Sequence, residues 1–173
     1  MFTIKSYIKI PHKIIDDLKK VQQNPCVYFI DIDNEKEIIK IKPQFDLDYL
    51  EGAIHIAFND QIIMDCRMWD LVDTLWAYFL ILINDVIDKN KAEIYFPDQA
   101  IQIKMQTNKK TITLSLTMPN NEYREWALPK DLFLKALLNG AQYFFEKMIV
   151  LFKENQEDYL DELKRIQNLK KKL

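Results

Sequence analysis

The chain has 173 residues and a formal net charge of −2, the size of one domain able to bury a sizeable core. Its apolar content of 49% and ten Phe exclude intrinsic disorder, and a pI near 5.7 lacks the basic footprint of a general nucleic-acid binder. Only two glycines occur, Gly52 and Gly140, which excludes the P-loop, the dinucleotide fingerprint and the nucleophile elbow, all built on closely spaced glycines.

Phe2, Ile4, Ser6, Ile8 and Ile10 alternate with Thr3, Lys5, Tyr7 and Lys9, the pattern of a half-buried strand. Pro11 ends it and opens a helix expected over 12–22, which Asn24-Pro25 breaks. Cys26–Ile32 and Glu37–Lys42 are apolar, β-branched runs around Asp33-Asn34-Glu35-Lys36 and predict a hairpin. A loop follows from Pro43 to Tyr49.

A second hairpin spans EGAIHIAFNDQIIMDC. With Asn59-Asp60-Gln61 as a three-residue loop, Phe58 faces Ile62. Ile54, Ile56, Phe58, Ile62, Met64 and Cys66 then share one face, and His55 lies opposite Asp65. A slip by one residue moves every side chain across the sheet, so the all-apolar register is preferred. Asp65 is placed to cap a long helix running to about Asp88. At 100° per residue, Asp70, Asp73, Thr74, Ala77, Ile81, Asn84, Asp85 and Asp88 fall on one side of it. The apolar residues, Trp69 and Trp76 among them, cover an arc of about 200°, twice that of a helix lying on one surface. This helix is therefore expected to touch two layers, the sheet and another helix.

Ala92–Phe96, a turn at Phe96-Pro97-Asp98-Gln99, Ile101–Gln106, Thr111–Met118 and Glu122–Leu128 read as antiparallel strands with one wet face. Pro129 opens a second long helix to about Asn155. Its core side is Leu132, Phe133, Leu137, Gly140, Ala141, Phe144, Met148, Leu151 and Phe152. The last helix, 156–173, points Tyr159, Leu160, Leu163 and Ile166 inward, and its Lys-rich end suits a helix C-terminus. The expected fold is one α+β domain over 1–173. It holds an antiparallel or mixed sheet of six to eight strands, helices mainly on one face and a peripheral C-terminal helix.

The chain begins without a continuous apolar h-region. Its longest apolar run, Leu75–Ile83, is well short of the roughly 20 residues of a membrane span. A cytoplasmic protein without membrane contact is the expectation. His12, Cys26, His55 and Cys66 have no metal-ligand spacing, and no metal or other cofactor is expected. Cys66 and His55 fall on opposite hairpin faces in the preferred register, which argues against a nucleophile–base pair. Asp70 with Asp73, or Asp85 with Asp88, has the one-turn spacing of acid–base or Mg²⁺ carboxylates, but a solvated helix face carries such spacings routinely. The Thr-rich face of 111–117 lacks stacking aromatics, so direct nucleic-acid binding is not expected.

Between Asp46 and Asp98 stand eleven acids and three bases, Arg67, Lys89 and Lys91, a charge of −8. Asp60, Asp70, Asp73, Asp85, Asp88 and Asp98 are the candidate contacts for a protein partner with a basic surface, because opposite potentials steer association. The succession of EGAIHIAFNDQIIMD, WDLVDTLWAYF, YFPDQAIQIK and LPKDLFLKALLNGAQYFFEKM, over about residues 50–150, resembles small proteins of low-GC Gram-positive bacteria that include immunity proteins encoded beside polymorphic toxins. That resemblance implies a non-enzymatic protein that neutralises a toxin, a nuclease being one candidate. It carries no motif by which individual residues transfer. The alternatives are a small enzyme with a carboxylate or divalent-metal site, and an oligomeric scaffold.

Overall fold

A computed structural model describes residues 1–153 and 156–173. Among the described residues, two antiparallel sheets and five α-helices make an α+β fold. The first sheet has the order β2-β1-β3-β4, with β5 also pairing β3. Here β1 is Phe2–Lys9, β2 Phe29–Asp31, β3 Glu51–Phe58, β4 Gln61–Met64 and β5 Asp70–Leu71. The second is the meander β6 (Lys91–Tyr95), β7 (Gln102–Asn108), β8 (Thr111–Thr117) and β9 (Tyr123–Pro129). The helices are α1 (Leu18–Gln23), α2 (Glu35–Ile41), α3 (Val72–Lys89), α4 (Lys130–Leu151) and α5 (Gln156–Lys170). The single sheet expected from sequence is thus two, of five and four strands.

The alternation of β1 does what its pattern implies. Phe2 stacks on Phe58 with ring centroids 4.5 Å apart, Ile4 pairs with Ile56 and Ser6 with Ile54. Ser6 is a buried polar residue on this inner face. Its hydroxyl is satisfied there by the indole N–H of Trp76 at 3.0 Å, since a buried donor left unpaired costs about 1–3 kcal/mol. Helix α3 packs against both sheets and against α4 and α5. Its wide apolar arc fills the centre with Leu75, Trp76, Phe79, Leu80, Leu82 and Ile83, all fully buried. Helix α4 runs from β1 to β9 along the same core.

Several elements depart from the sequence reading. Glu37–Lys42 is not a strand: Glu37–Ile41 lies in α2 and Lys42 begins a 3-10 turn; Ile38, Ile39 and Ile41 are β-branched, but Glu35 and Glu37 occupy the favourable first turn of a helix. Cys26–Ile32 keeps only β2 as strand, after a 3-10 turn at Pro25–Val27. Of the helix expected over 12–22, only α1 forms, capped by Asp17. At the tip of the second hairpin Asn59 and Asp60 both take left-handed φ, 46° and 66°. This allows a two-residue turn, so Phe58 pairs with Gln61 and Ala57 with Ile62. An irregularity then absorbs one residue and restores the expected pairing of Ile56 with Met64. Ile62 is left 49% exposed, while Ile63 takes the buried place.

β4 ends at Met64, and Asp65 caps a 3-10 turn, Cys66–Met68, by accepting the N–H of Arg67 at 2.9 Å. Cys66 therefore packs not with Ile54 and Ile56 but in a second, smaller core with Val21, Phe29 and Ala53 under α1. The long helix begins only at Val72, so Trp69 lies outside it, half-buried beneath the Lys9 ammonium at 5.4 Å. In the later helices, Leu132 is 63% exposed and Leu160 is also exposed, while Leu134, Leu138, Phe145 and Leu169 take core places. Helix α4 closes at Leu151; the expected end near Asn155 lies outside the described residues.

Candidate protein-binding surface

The six candidate acids part company once the chain is folded. Asp70 does not belong to an exposed helical stripe. It sits in β5, 1% exposed, and its carboxylate accepts backbone N–H groups from Leu71 at 2.6 Å, Gln99 at 2.9 Å and Asp98 at 3.1 Å. A buried carboxylate is tolerable when such donors replace its water. The Gln99 side-chain amide adds a bond to the Trp69 carbonyl. Asp70 is therefore a clamp that ties the 96–99 turn to the start of α3, and Asp98 projects from that turn, exposed.

Asp73 is on α3 but lies against α5, where the Tyr159 hydroxyl donates to it at 3.4 Å. Burial raises the Asp73 carboxyl above the usual carboxylate range, although the Thr74 N–H and the Tyr159 hydroxyl bond to its charged form. Burial, then the Asp73 charge, pushes the Tyr159 hydroxyl up as well. Asp85 pairs with Lys89 at 3.0 Å, and Asp88 with Lys172 at 2.9 Å. Lys172 also donates to Asn84. Half of the expected stripe is thus the seat of the C-terminal helix, whose lysine-rich end supplies its counter-charge. Asp60 stands apart, exposed at the hairpin tip.

Two of the exposed acids between Asp46 and Asp98 stand at the Glu51 end of the first sheet. Asp46 and Asp48 occupy the loop entering β3, and both are exposed; Tyr49 beside them is 47% exposed. Asp46 accepts the N–H of Asp48 at 3.1 Å, which fixes the loop. Glu51 pairs with Leu71 and Gly52 with Asp70 across the β3–β5 ladder. The Val72 N–H donates to the Leu50 carbonyl. The end of the Asp46–Glu51 loop and the Asp98 turn are therefore both tied to the same two-residue strand. Lys9 reaches Glu51 at 2.6 Å and covers Trp69. In the sequence Asp46 and Asp48 stand out only by charge, and the β3–β5 pairing that ties their loop to the strand of Asp70 gives no periodic signal over two residues.

Burial, with the Asp65 charge, pushes the Cys66 thiol up to about 12, so the thiolate needed for nucleophilic attack is scarce at neutral pH. Burial lowers His55 below the usual histidine range, against the pull of Asp65. Among the described residues, no three His, Cys, Asp or Glu side chains converge as metal ligands, and no helix is long and apolar enough to cross a membrane.

Compared with family models, with curated proteins and with solved structures, the chain matches none.

Proposed function

We propose that this chain is a non-enzymatic protein-binding protein of the immunity type, which neutralises a toxin by covering a basic surface with its acidic end. The single observation that carries this reading is the Asp70 clamp. It holds the Asp98 turn on β5, the strand that also pairs with β3 where the loop of Asp46, Asp48 and Tyr49 ends. A rigid acidic face with an exposed tyrosine suits recognition: the charges steer a basic partner, and an aromatic ring supplies contact area at low entropic cost. The stripe acids Asp85 and Asp88 are already matched by lysines of the same chain and contribute less.

The experiment is affinity capture of the tagged protein from its source cells, at low and at raised salt. The reading expects a basic partner encoded nearby, lost as salt rises and lost again in the triple variant Asp46→Lys, Asp48→Lys, Asp98→Lys. Co-expression with that partner would restore growth if it is a toxin. Recovery of the same partner by the triple variant would remove the acidic end from the account.

A further inference from the structure

Two of the chain's three arginines stand at one cleft of about 380 Å³, between α1, the Cys66–Met68 turn and the β8–β9 turn. The volume is in the range of small-molecule sites, about 300–1,000 Å³. Its apolar surface comes from Leu18, Met68 and Met118. Met68 is buried, whereas Leu18 is 49% exposed on α1, an apolar lip that the fold itself does not cover. The walls are fixed by hydrogen bonds. Asp65 caps the turn that carries Arg67, and the Met118 N–H donates to the Glu122 carbonyl at 2.9 Å while Asn121 takes a left-handed φ of 63°.

The charges at this cleft do not cancel. Arg67 bonds Asp65 through Nε and Nη2, and Arg124 bonds Glu122 through the same two nitrogens. A guanidinium has five donors, so in both residues the Nη1 group is not engaged by these pairs. The Lys19 ammonium, also at the cleft, has no carboxylate partner among the described residues. Three cations against two anions leave one positive charge in a chain that is negative overall. The geometry points to a binding site for a small monocarboxylate with an apolar tail, the tail on Leu18, Met68 and Met118 and the carboxylate at Lys19 and Arg124. Arginine suits the planar carboxylate because its planar donors match it, and on Arg124 the Nη1 group is the one left to donate.

The test is an NMR titration of the full chain, labelled at the methionine methyls, with octanoate. Acetate serves as the tail-free probe and octylammonium as the charge-reversed one. Saturable shifts of the Met68 and Met118 methyls with octanoate, absent or much weaker with the other two, support the site. Lys19→Gln, on an exposed side chain that leaves folding intact, and Arg124→Gln should each weaken binding roughly five- to tenfold. Glu122→Gln should tighten it by removing the competing carboxylate. No saturable shift, an equal response to octylammonium, or unchanged affinity in Lys19→Gln and Arg124→Gln together would overturn the proposal.

Discussion

The carboxylate of Asp70 accepts the backbone N–H of Gln99 at 2.9 Å, 29 residues further along the chain. That bond joins the entry of the central helix to the turn between the first two strands of the second sheet. It is the contact on which the position of Asp98 depends. Asp70→Ala should destabilise the protein by about 2–3 kcal/mol, the cost of leaving buried amides without an acceptor. Urea unfolding should show a lower midpoint at unchanged slope, and the amides of Asp98 and Gln99 should exchange faster with solvent. Asp70→Asn, which keeps one acceptor oxygen, should fall between the two.

Helix α5 is held by its apolar side rather than by its charges. Ile166 is fully buried and Leu169 nearly so, and Ile166→Ala should cost about 2–4 kcal/mol through transfer and cavity terms. Lys172→Ala removes an ion pair whose partners are both more than 40% exposed, and should cost less than about 1 kcal/mol. Chemical denaturation of the two variants separates these cases.

Asp73 gives the stability a readable pH dependence. Burial raises its folded-state pKa above the ordinary value of 3.8, so the folded state holds the proton more tightly than the unfolded state does. Stability then falls as pH rises from the unfolded value through the folded one, and the penalty is complete above it. Asp73→Asn accepts the Thr74 N–H and donates to the Tyr159 oxygen without a charge. It should flatten that fall and raise the unfolding midpoint at neutral pH relative to acid pH. Denaturation curves on either side of the window check the sign.

The two glycines differ in what surrounds them. A Cβ on Gly52 would stand 2.2 Å from the Tyr7 carbonyl oxygen, while one on Gly140 would meet the Ile4 Cγ2 methyl at 2.6 Å. Backbone cannot yield without breaking the β1–β3 ladder, whereas a side chain can shift. Gly140→Ala should cost about 1–3 kcal/mol, as over-packing does. Gly52→Ala should cost more and lower the yield of folded protein. Thermal unfolding and soluble expression rank the pair.

The parts of this molecule legible in its sequence are those with long periodic signals. The meander from Lys91 to Pro129 alternates cleanly, and the arc of apolar residues on α3 told of contacts in two layers; the helix in fact touches both sheets. Short elements were not legible. The β-branched residues of α2 favour strand locally, and what offsets them is Glu35 and Glu37 in the first helical turn together with the burial of Ile38 in the main core. The hairpin register was recovered at Ile56–Met64 but not at Ala57–Ile62, because a left-handed Asn59-Asp60 turn and an irregularity cancel one another. The acidic stripe misled for a different reason. A helical projection shows which residues share a face but not what lies on it, and here that is Tyr159 and Lys172 of the same chain. Nor does a run of acids reveal that one member, Asp70, points inward onto backbone amides.

The most direct measurement of the central claim is the salt-dependent affinity of the captured partner for two charge-reversal variants of equal charge change. One is Asp46→Lys with Asp98→Lys; the other is Asp85→Lys with Asp88→Lys. The account predicts that the first pair weakens binding by at least about tenfold, equivalent to about 1.4 kcal/mol, and flattens the salt dependence, while the second pair changes binding less. Equal losses in both pairs, or a larger loss in the second, would contradict it.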